Sequence, residues 1–483
     1  MTRARSPVMV WFRDDLRLAD NAALDAAAVA DGPVLACYVL DSASGPDVGG
    51  ASRWWLHHSL AGLQRQLRAL GGRLILRRGP AAKVLPGLAG ETGAGEIHCV
   101  GSYGPARTRL DQPVETALGH AGVALHRHRG SLLFEPDAIR NRAGEPFRVF
   151  TPFWKTCLQT GSPGPPMAAP KELRFFDGAV RSDPLEDWRL LPTEPDWAAG
   201  LRESWRPGEA QAHERLQDFL EQGMSAYAEG RDRPDRSATS RLSPHLHFGE
   251  LSPRQVWHAA HSVMAADARA RRGGEAFLRQ LGWREFCYHL LEHWPSLPEK
   301  PFRPEFEAFP WRADADALAI WQRGETGYAL VDAGMRELWH TGWMHNRVRM
   351  VAASFLVKHL LIPWQQGAEW FWDTLVDADL ANNAASWQWV AGSGADAAPY
   401  FRIFNPVLQG KKFDPQGSYV RRWVPELAAL PAQHVHEPAA APEAVLREAG
   451  IVLGRDYPLP VIDHAVARRR ALDAYERLKQ RSR

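Results

Sequence analysis

Four stretches of this chain combine residue types that could do chemistry. Thr239-Ser240-Arg241-Leu242-Ser243 places hydroxyls, a guanidinium and successive backbone amides just ahead of a helical pattern. That chemistry suits a phosphate at a helix N-terminus, and an N-cap cluster fits the same residues equally well. In "QLGWREFCYHLLEHW", residues 280 to 294, Gln280 and Trp283 are three apart and share a helix face. A ligand site and a buried amphipathic helix both account for it. In "TGWMHNRVRM", 341 to 350, Asn346 and Met350 share a face, with Arg347 and Arg349 directed elsewhere. Taken alone, that pair reads more readily as core or surface than as a site. The densest stretch is "LVDADLANNAASWQWVAGSGADAAPYFRIFNP", 375 to 406, where acids, paired asparagines and two Trp alternate without an amphipathic period. Packing alone does not predict that mixture.

The elements that must position these residues fall into two kinds. Between residues 8 and 129, strands read at 8–12, 34–40, 74–77, 96–100 and 123–126 alternate with helical patterns such as 53–70 and 105–121. This alternation predicts right-handed crossovers and a doubly wound parallel α/β sheet over residues 1–130. The first strand exits into "WFRDDLRLADNAAL", 11 to 24, read as a charged turn whose arginines and acids order the chain between strand and helix. No G-x-G-x-x-G follows that strand, and the glycines from Gly90 to Gly95 precede a strand, so the usual pyrophosphate turn is not expected. Residues 131–205 are rich in Pro and Gly and read as a long connector. Helical patterns dominate 206–483, predicting an all-α domain.

Bulk properties narrow the class. With 58 Lys and Arg against 56 acids, the net charge of +2 commits the surface to no polyanion, so any nucleic-acid site must be a local patch. The four cysteines, Cys37, Cys99, Cys157 and Cys287, form no C-x-x-C pair, and no metal site is expected from them. They fit a reducing, cytoplasmic setting. No apolar run reaches the ~18 residues of a membrane span, and no signal pattern opens the chain. Twenty Trp are present, of which core packing explains most.

Taken in order, "VWFRDDLRLADNAAL", "TSRLSPHLHFGELSPRQ", "GWREF", "TGYALVDAGMRELWHTGWMHNRVRM" and "DAAPYFRIFNP" resemble the motifs of the DNA photolyase and cryptochrome family across nearly the whole chain. The resemblance implies an α/β antenna domain over 1–130, a linker over 131–205 and a helical FAD-binding catalytic domain over 206–483. It implies that Tyr227, Thr239, Ser240, Arg241, Leu242 and Ser243 hold the FAD phosphates. Asn346, Arg349, Asp377, Asp379 and Asn383 would surround the ribityl chain and the isoalloxazine. Asn383 matches the residue facing flavin N5, where a neutral amide favours the fully reduced, repair-competent flavin.

The implied activity is light-driven repair of cyclobutane pyrimidine dimers in UV-damaged DNA, of the class I or class III kind, with the lesion flipped out of the duplex. Trp283 and Trp389 would stack on it, and Met350 and Asn346 would complete the pocket. Arg231, Arg347 and Arg402 resemble backbone contacts, which position without reading sequence; Arg233 and Arg236 read as surface charge. Trp387, Trp364 and Trp311 match the tryptophan relay that photoreduces the flavin. The (6-4) photolyases carry histidines where Asn346 and Met350 stand, which argues for the cyclobutane substrate, and His345 is not their equivalent. Gln280 departs from the usual Glu, losing a proton donor. An antenna chromophore is implied, either methenyltetrahydrofolate or 8-hydroxy-5-deazaflavin. Arg107 stands where folate-binding relatives have an acid, which leaves that choice open. A monomer needing no protein partner is expected. The alternatives are a cryptochrome-type photoreceptor, against which the missing polar tail counts, a (6-4) photolyase, and a flavin oxidoreductase without DNA.

Overall fold

The computed structural model describes residues 6–41, 48–397 and 401–481, with the side chains of 107 and 108 excepted. Five strands, β1 (Val8–Phe12), β2 (Val34–Leu40), β3 (Leu74–Arg78), β4 (Glu96–Val100) and β5 (Ala124–His128), form one sheet in the order β3-β2-β1-β4-β5. Every pairing is parallel. Helices α1 (Ala22–Val29), α2 (Gly50–Ala69), α3 (Ala81–Thr92) and α4 (Gln112–His120) supply the crossovers, the expected doubly wound arrangement. β3 and β5 run one and two residues beyond the expected ends, because the backbone ladder with β2 and β4 continues under polar side chains: Leu40 pairs Arg78 and Val100 pairs His128. The segment expected as helix from 105 opens with a π turn, Arg107–Asp111, before α4.

The charged strand exit orders its turn as its composition suggests. Arg13 lies over the Trp11 ring, pairs with Asp111 at 2.5 Å and donates to the Val100 carbonyl. Asp15 accepts from the Arg13 N–H, while Arg17, fully buried, donates to the Asp20 and Gly249 carbonyls at 2.9 Å. Asn21 then caps α1 by accepting from the Ala23 and Leu24 N–H groups. These charges are buried and spent on backbone, so they are architecture.

The chain gathers into two compact units: Met1–Trp197, Trp205–Ser225 and Ser240–Pro295 form one, and Ala198–Ser204, Ala226–Thr239 and Ser296–Arg483 the other. Sequence order instead draws a line at 206. Residues 240–295 gather with the sheet unit because the helix Arg271–His293 packs on the connector. Phe286 meets Phe153 at 5.2 Å, Gly282 lies so close to Trp154 that a Cβ would come within 2.5 Å of its ring, and Glu285 takes the Leu133 and Phe134 N–H groups. The connector also holds a helix of its own, α5 (Phe150–Gln159), which its Pro and Gly content concealed. The second unit is helical and closes around Trp321, Trp364, Phe371 and Trp387.

Candidate active site

In the helical unit, the helix Asn346–Ser354 begins at a histidine cap: His345 Nδ1 accepts from the Arg347 N–H at 3.2 Å. Burial pushes the His345 imidazole down to about 4, so it is neutral. It serves the helix end. Asn346 and Met350 lie one turn apart, with Nδ2 3.9 Å from the sulfur. From the same helix Arg349 reaches Asp377, Nη2 to Oδ2 at 2.9 Å, and its Nε donates to the Met344 carbonyl at 2.7 Å. The Asp377 side chain is 5% exposed and that of Arg349 24%. A buried carboxylate held by one partly open guanidinium depends heavily on that partner.

Asp379 starts the helix Leu380–Ala391, accepting from the Asn382 N–H at 2.8 Å and from its Nδ2 at 2.6 Å. Capping fixes the first turn and with it Asn383, whose Nδ2 donates to the Ala368 carbonyl at 3.0 Å. One of its two Nδ2 hydrogens is thereby committed, and Oδ1 is available as an acceptor. On the same helix Trp387 is buried, edge-on to Phe371 at 5.0 Å and to Trp321 at 6.2 Å. Trp364 belongs to the same core and Trp311 packs against it beside Phe309. Trp389 is half-buried and donates from Nε1 to the Asp396 carbonyl at 3.1 Å.

The basic residues are not a free patch. Arg347 pairs with Asp232 at 2.9 Å and covers the Phe413 ring, while Arg231 lies 3.9 Å from Asp232 and 5.8 Å from the centre of the buried Tyr227 ring. Arg402 lies 6.0 Å over Phe404. Arg233 is tied to Asp235 at 2.8 and 2.5 Å, consistent with its reading as ordinary surface charge. Thr239 is half-buried at the end of the stretch that carries Tyr227 and Arg231.

In the sheet unit, Arg241 has φ 51° and is followed by Leu242 in the right-handed region. A left-handed residue is costly without glycine, and a left-handed residue next to a right-handed one is the backbone alternation from which anion-binding nests are built. The Arg241 guanidinium lies over the Trp205 ring at 4.6 Å. Ser240 is half-buried and Ser243 exposed at the start of the short turn Ser243–His247. Gln280 and Trp283 share a face of Arg271–His293. Gln280 Nε2 donates to the Ala276 carbonyl at 3.3 Å, and Trp283 stacks on Phe150 at 3.9 Å with the planes 7° apart.

Phe150 and Trp321 were not legible as partners of Trp283 and Trp387. Phe150 sits in a connector, and Trp321 is one of 20 Trp with no motif to mark it. Glu285 was also missed. It is fully buried, accepts the Leu133 and Phe134 N–H groups on Oε2 at 2.8 and 3.1 Å, and burial pushes its carboxyl up to about 7.

A parallel five-stranded sheet unit and a Trp-rich helical unit carrying an amide and a paired carboxylate define a class, and sequence comparison agrees. Residues 8–171 match the DNA photolyase family model and 277–477 the model for the FAD binding domain of DNA photolyase. The chain is 50% identical to a deoxyribodipyrimidine photo-lyase of Agrobacterium fabrum, covering 99% of this chain and all of that one. It is 40% identical to cryptochrome-1 of Arabidopsis thaliana over 98% of this chain and 70% of that one. A crystal structure of a bacterial class III photolyase from Agrobacterium tumefaciens superimposes with a TM-score of 0.96 at 49% identity, over 99% of both chains. The chain belongs to the DNA photolyase and cryptochrome family.

Proposed function

We propose that this protein repairs cyclobutane pyrimidine dimers in DNA under light, using fully reduced FAD, and that it is of the class III kind. The observation that carries this is full-length 50% identity to a deoxyribodipyrimidine photo-lyase, supported by the likeness to a class III photolyase structure. The 1–130 segment acts as the antenna domain, 131–205 as linker and 206–483 as the FAD-binding catalytic region.

The donor set suits FAD. The alternating backbone at Arg241 and Leu242, with Thr239, Ser240, Ser243 and Tyr227, holds the diphosphate. Asn346, Arg349, Asp377 and Asp379 hold the rest of the cofactor, and the Arg349–Asp377 pair places a fixed dipole beside the ring. Asn383, held through Nδ2 by the Ala368 carbonyl, would offer Oδ1 as an acceptor to a protonated ring nitrogen. The bound cofactor would supply, in its reduced and light-excited form, the electron chemistry of dimer cleavage.

The remaining residues bind and exclude water. Trp283, held flat by Phe150, offers its other face to an extruded base, and Trp389 offers a second; such stacking is worth about 1–3 kcal/mol per base. Met350 and Asn346 complete an apolar and amide lining without an imidazole acid, which suits a dimer needing no proton transfer. Gln280 hydrogen-bonds a pyrimidine edge as a neutral group. Arg231, Arg347 and Arg402 meet backbone phosphates, with Asp232 holding Arg347 in place until phosphate displaces it. Trp387, Trp364 and Trp311 carry electrons inward to reload the cofactor.

The protein works as a monomer in the cytoplasm, where its four buried cysteines stay reduced, and no helix of the described residues is long and apolar enough to cross a membrane. A second chromophore, methenyltetrahydrofolate or 8-hydroxy-5-deazaflavin, serves as antenna, and the absorption spectrum of cofactor released on denaturation distinguishes the two. The side chain of Arg107, which bears on that choice, lies outside the described residues. Illuminating the reduced protein with a thymine-dimer oligonucleotide tests the main reading: thymine absorbance returns under light. No gain over a dark control refutes repair and leaves the photoreceptor.

A further inference from the structure

The exposed edge of the sheet carries a cluster that the repair chemistry does not use. β4 and β5 pair in register with His98 opposite His126 and Val100 opposite His128. Side chains two apart on a strand share a face, so Glu96, His98, His126 and His128 stand together. Ligand atoms of Glu96, His98 and His126 lie within 4.8 Å of one another. Glu96 Oε2 is 3.4 Å from His126 Nε2 and 3.8 Å from His98 Nε2.

The state of His98 makes the cluster more than a surface coincidence. Its side chain is 9% exposed, its Nδ1 lies 2.9 Å from His128 Nε2, and its buried Nε2 has no hydrogen-bond partner. In the tautomer that donates from Nδ1 to His128, the unpartnered Nε2 carries the lone pair and stands as a ligand atom beside the Glu96 carboxylate. The bond of His98 to His128 is the kind of outer hydrogen bond that orients metal-bound histidines.

We propose that Glu96, His98 and His126 form a site for one divalent transition-metal ion of the zinc type, with His128 orienting His98. Two imidazoles and one carboxylate select such an ion over magnesium or calcium, which prefer oxygen alone. Metal–ligand bonds of about 2.0–2.2 Å in a tetrahedron put ligand atoms about 3.3 Å apart, so the observed spacing needs only small side-chain rotations. Three protein ligands leave a fourth position to water, on a half-exposed edge open to exchange. Sequence spacing gave no hint of it, because the ligands lie on two successive strands and meet only through the parallel register.

The test is equilibrium dialysis of chelator-treated, FAD-loaded protein against zinc ion, followed by metal analysis, with flavin content as the check on folding. About one equivalent is expected to bind to the wild type. His126→Ala, at an exposed position, and Glu96→Gln, at a half-buried one, each weaken binding at least tenfold with flavin content unchanged. His128→Ala weakens it by about ten- to a hundredfold through the loss of orientation. X-ray absorption of the zinc-loaded protein is expected to show two imidazole ligands. Absence of saturable binding in the wild type, or undiminished binding in a His126→Ala/Glu96→Gln double variant, overturns the proposal.

Discussion

Gly367 offers the sharpest single perturbation of the electron-transfer core. It lies within the helix Trp364–Thr374, where replacing glycine by alanine ordinarily stabilises by about 1 kcal/mol. Here the added Cβ would stand 2.1 Å from Trp387 Cη2, 2.5 Å from its Cζ3 and 2.6 Å from Leu356 Cδ2. Ordinary carbon contact is about 3.5–4.0 Å, so the indole must retreat by more than about 1 Å. It has little room, being buried against Phe371 and Trp321. Overpacking of this kind costs about 1–3 kcal/mol, with the upper end appropriate to a ring pinned on two sides, so Gly367→Ala is expected to destabilise by about 1–2 kcal/mol net. Gly90→Ala is the control, also inside a helix but with nothing within 4 Å of the new Cβ; it gains about 0.5–1 kcal/mol. The next residue, Ala368, anchors Asn383, so the strain reaches the cofactor side as well. The assay has two arms: urea unfolding, and the rate of light-driven flavin reduction with a thiol as external donor. Gly367→Ala is expected to unfold at lower urea and to photoreduce several-fold more slowly, while chemically reduced protein keeps more of its repair activity than of its photoreduction. If Gly367→Ala behaves like Gly90→Ala in both arms, the packing argument and the role given to Trp387 fail together.

Three further outcomes follow from other parts of the structure. Gln280→Glu restores a carboxylic acid on the lesion-facing helix and is expected to raise the yield of dimer repair per absorbed photon; an unchanged or lower yield contradicts that. Asp377→Ala leaves the Arg349 guanidinium without its 2.9 Å partner; it is expected to cost about 2–4 kcal/mol and to lower retained flavin, read from the absorbance ratio of cofactor to protein. For Glu285, burial raises the carboxyl from 4.5 to about 7. Its contribution to stability is therefore full below pH 4.5 and lost as pH rises through 7, a change of about 3 kcal/mol. Glu285→Gln keeps an oxygen for the Leu133 and Phe134 N–H groups, so the stability of wild type relative to this variant should fall between pH 5 and 8 in urea titrations. A difference independent of pH rules out a protonated Glu285.

Local pattern carried much of the fold because the strands are short β-branched runs bounded by amphipathic helices, and three of the five begin and end where the pattern does. β5 was read two residues short because of its polarity, since Arg127 and His128 read as loop although the ladder to β4 holds them. The helix Phe150–Gln159 was hidden by neighbouring prolines and glycines. For the proposed site, Asn346, Arg349, Asp377, Asp379 and Asn383 were singled out because they sit in contiguous motifs, and the structure adds local reasons for their placement, such as the capping by Asp379. Residues that matter through distant packing were not. Phe150 meets Trp283 across 133 positions of sequence, and Glu285 takes backbone donors from Leu133 and Phe134, which no periodicity encodes. The restraint of Arg347 by Asp232 was likewise invisible, because each charge alone reads as surface.

The central claim is light-driven, lesion-specific repair. Its most direct measurement is chromatography of oligonucleotides carrying either a cyclobutane thymine dimer or a (6-4) photoproduct after exposure to the reduced protein in blue light and in darkness. Intact thymines are expected to appear over many turnovers from the cyclobutane substrate in light alone, with the (6-4) substrate unchanged. Repair of the (6-4) product, or no light-dependent conversion of either, would contradict the account.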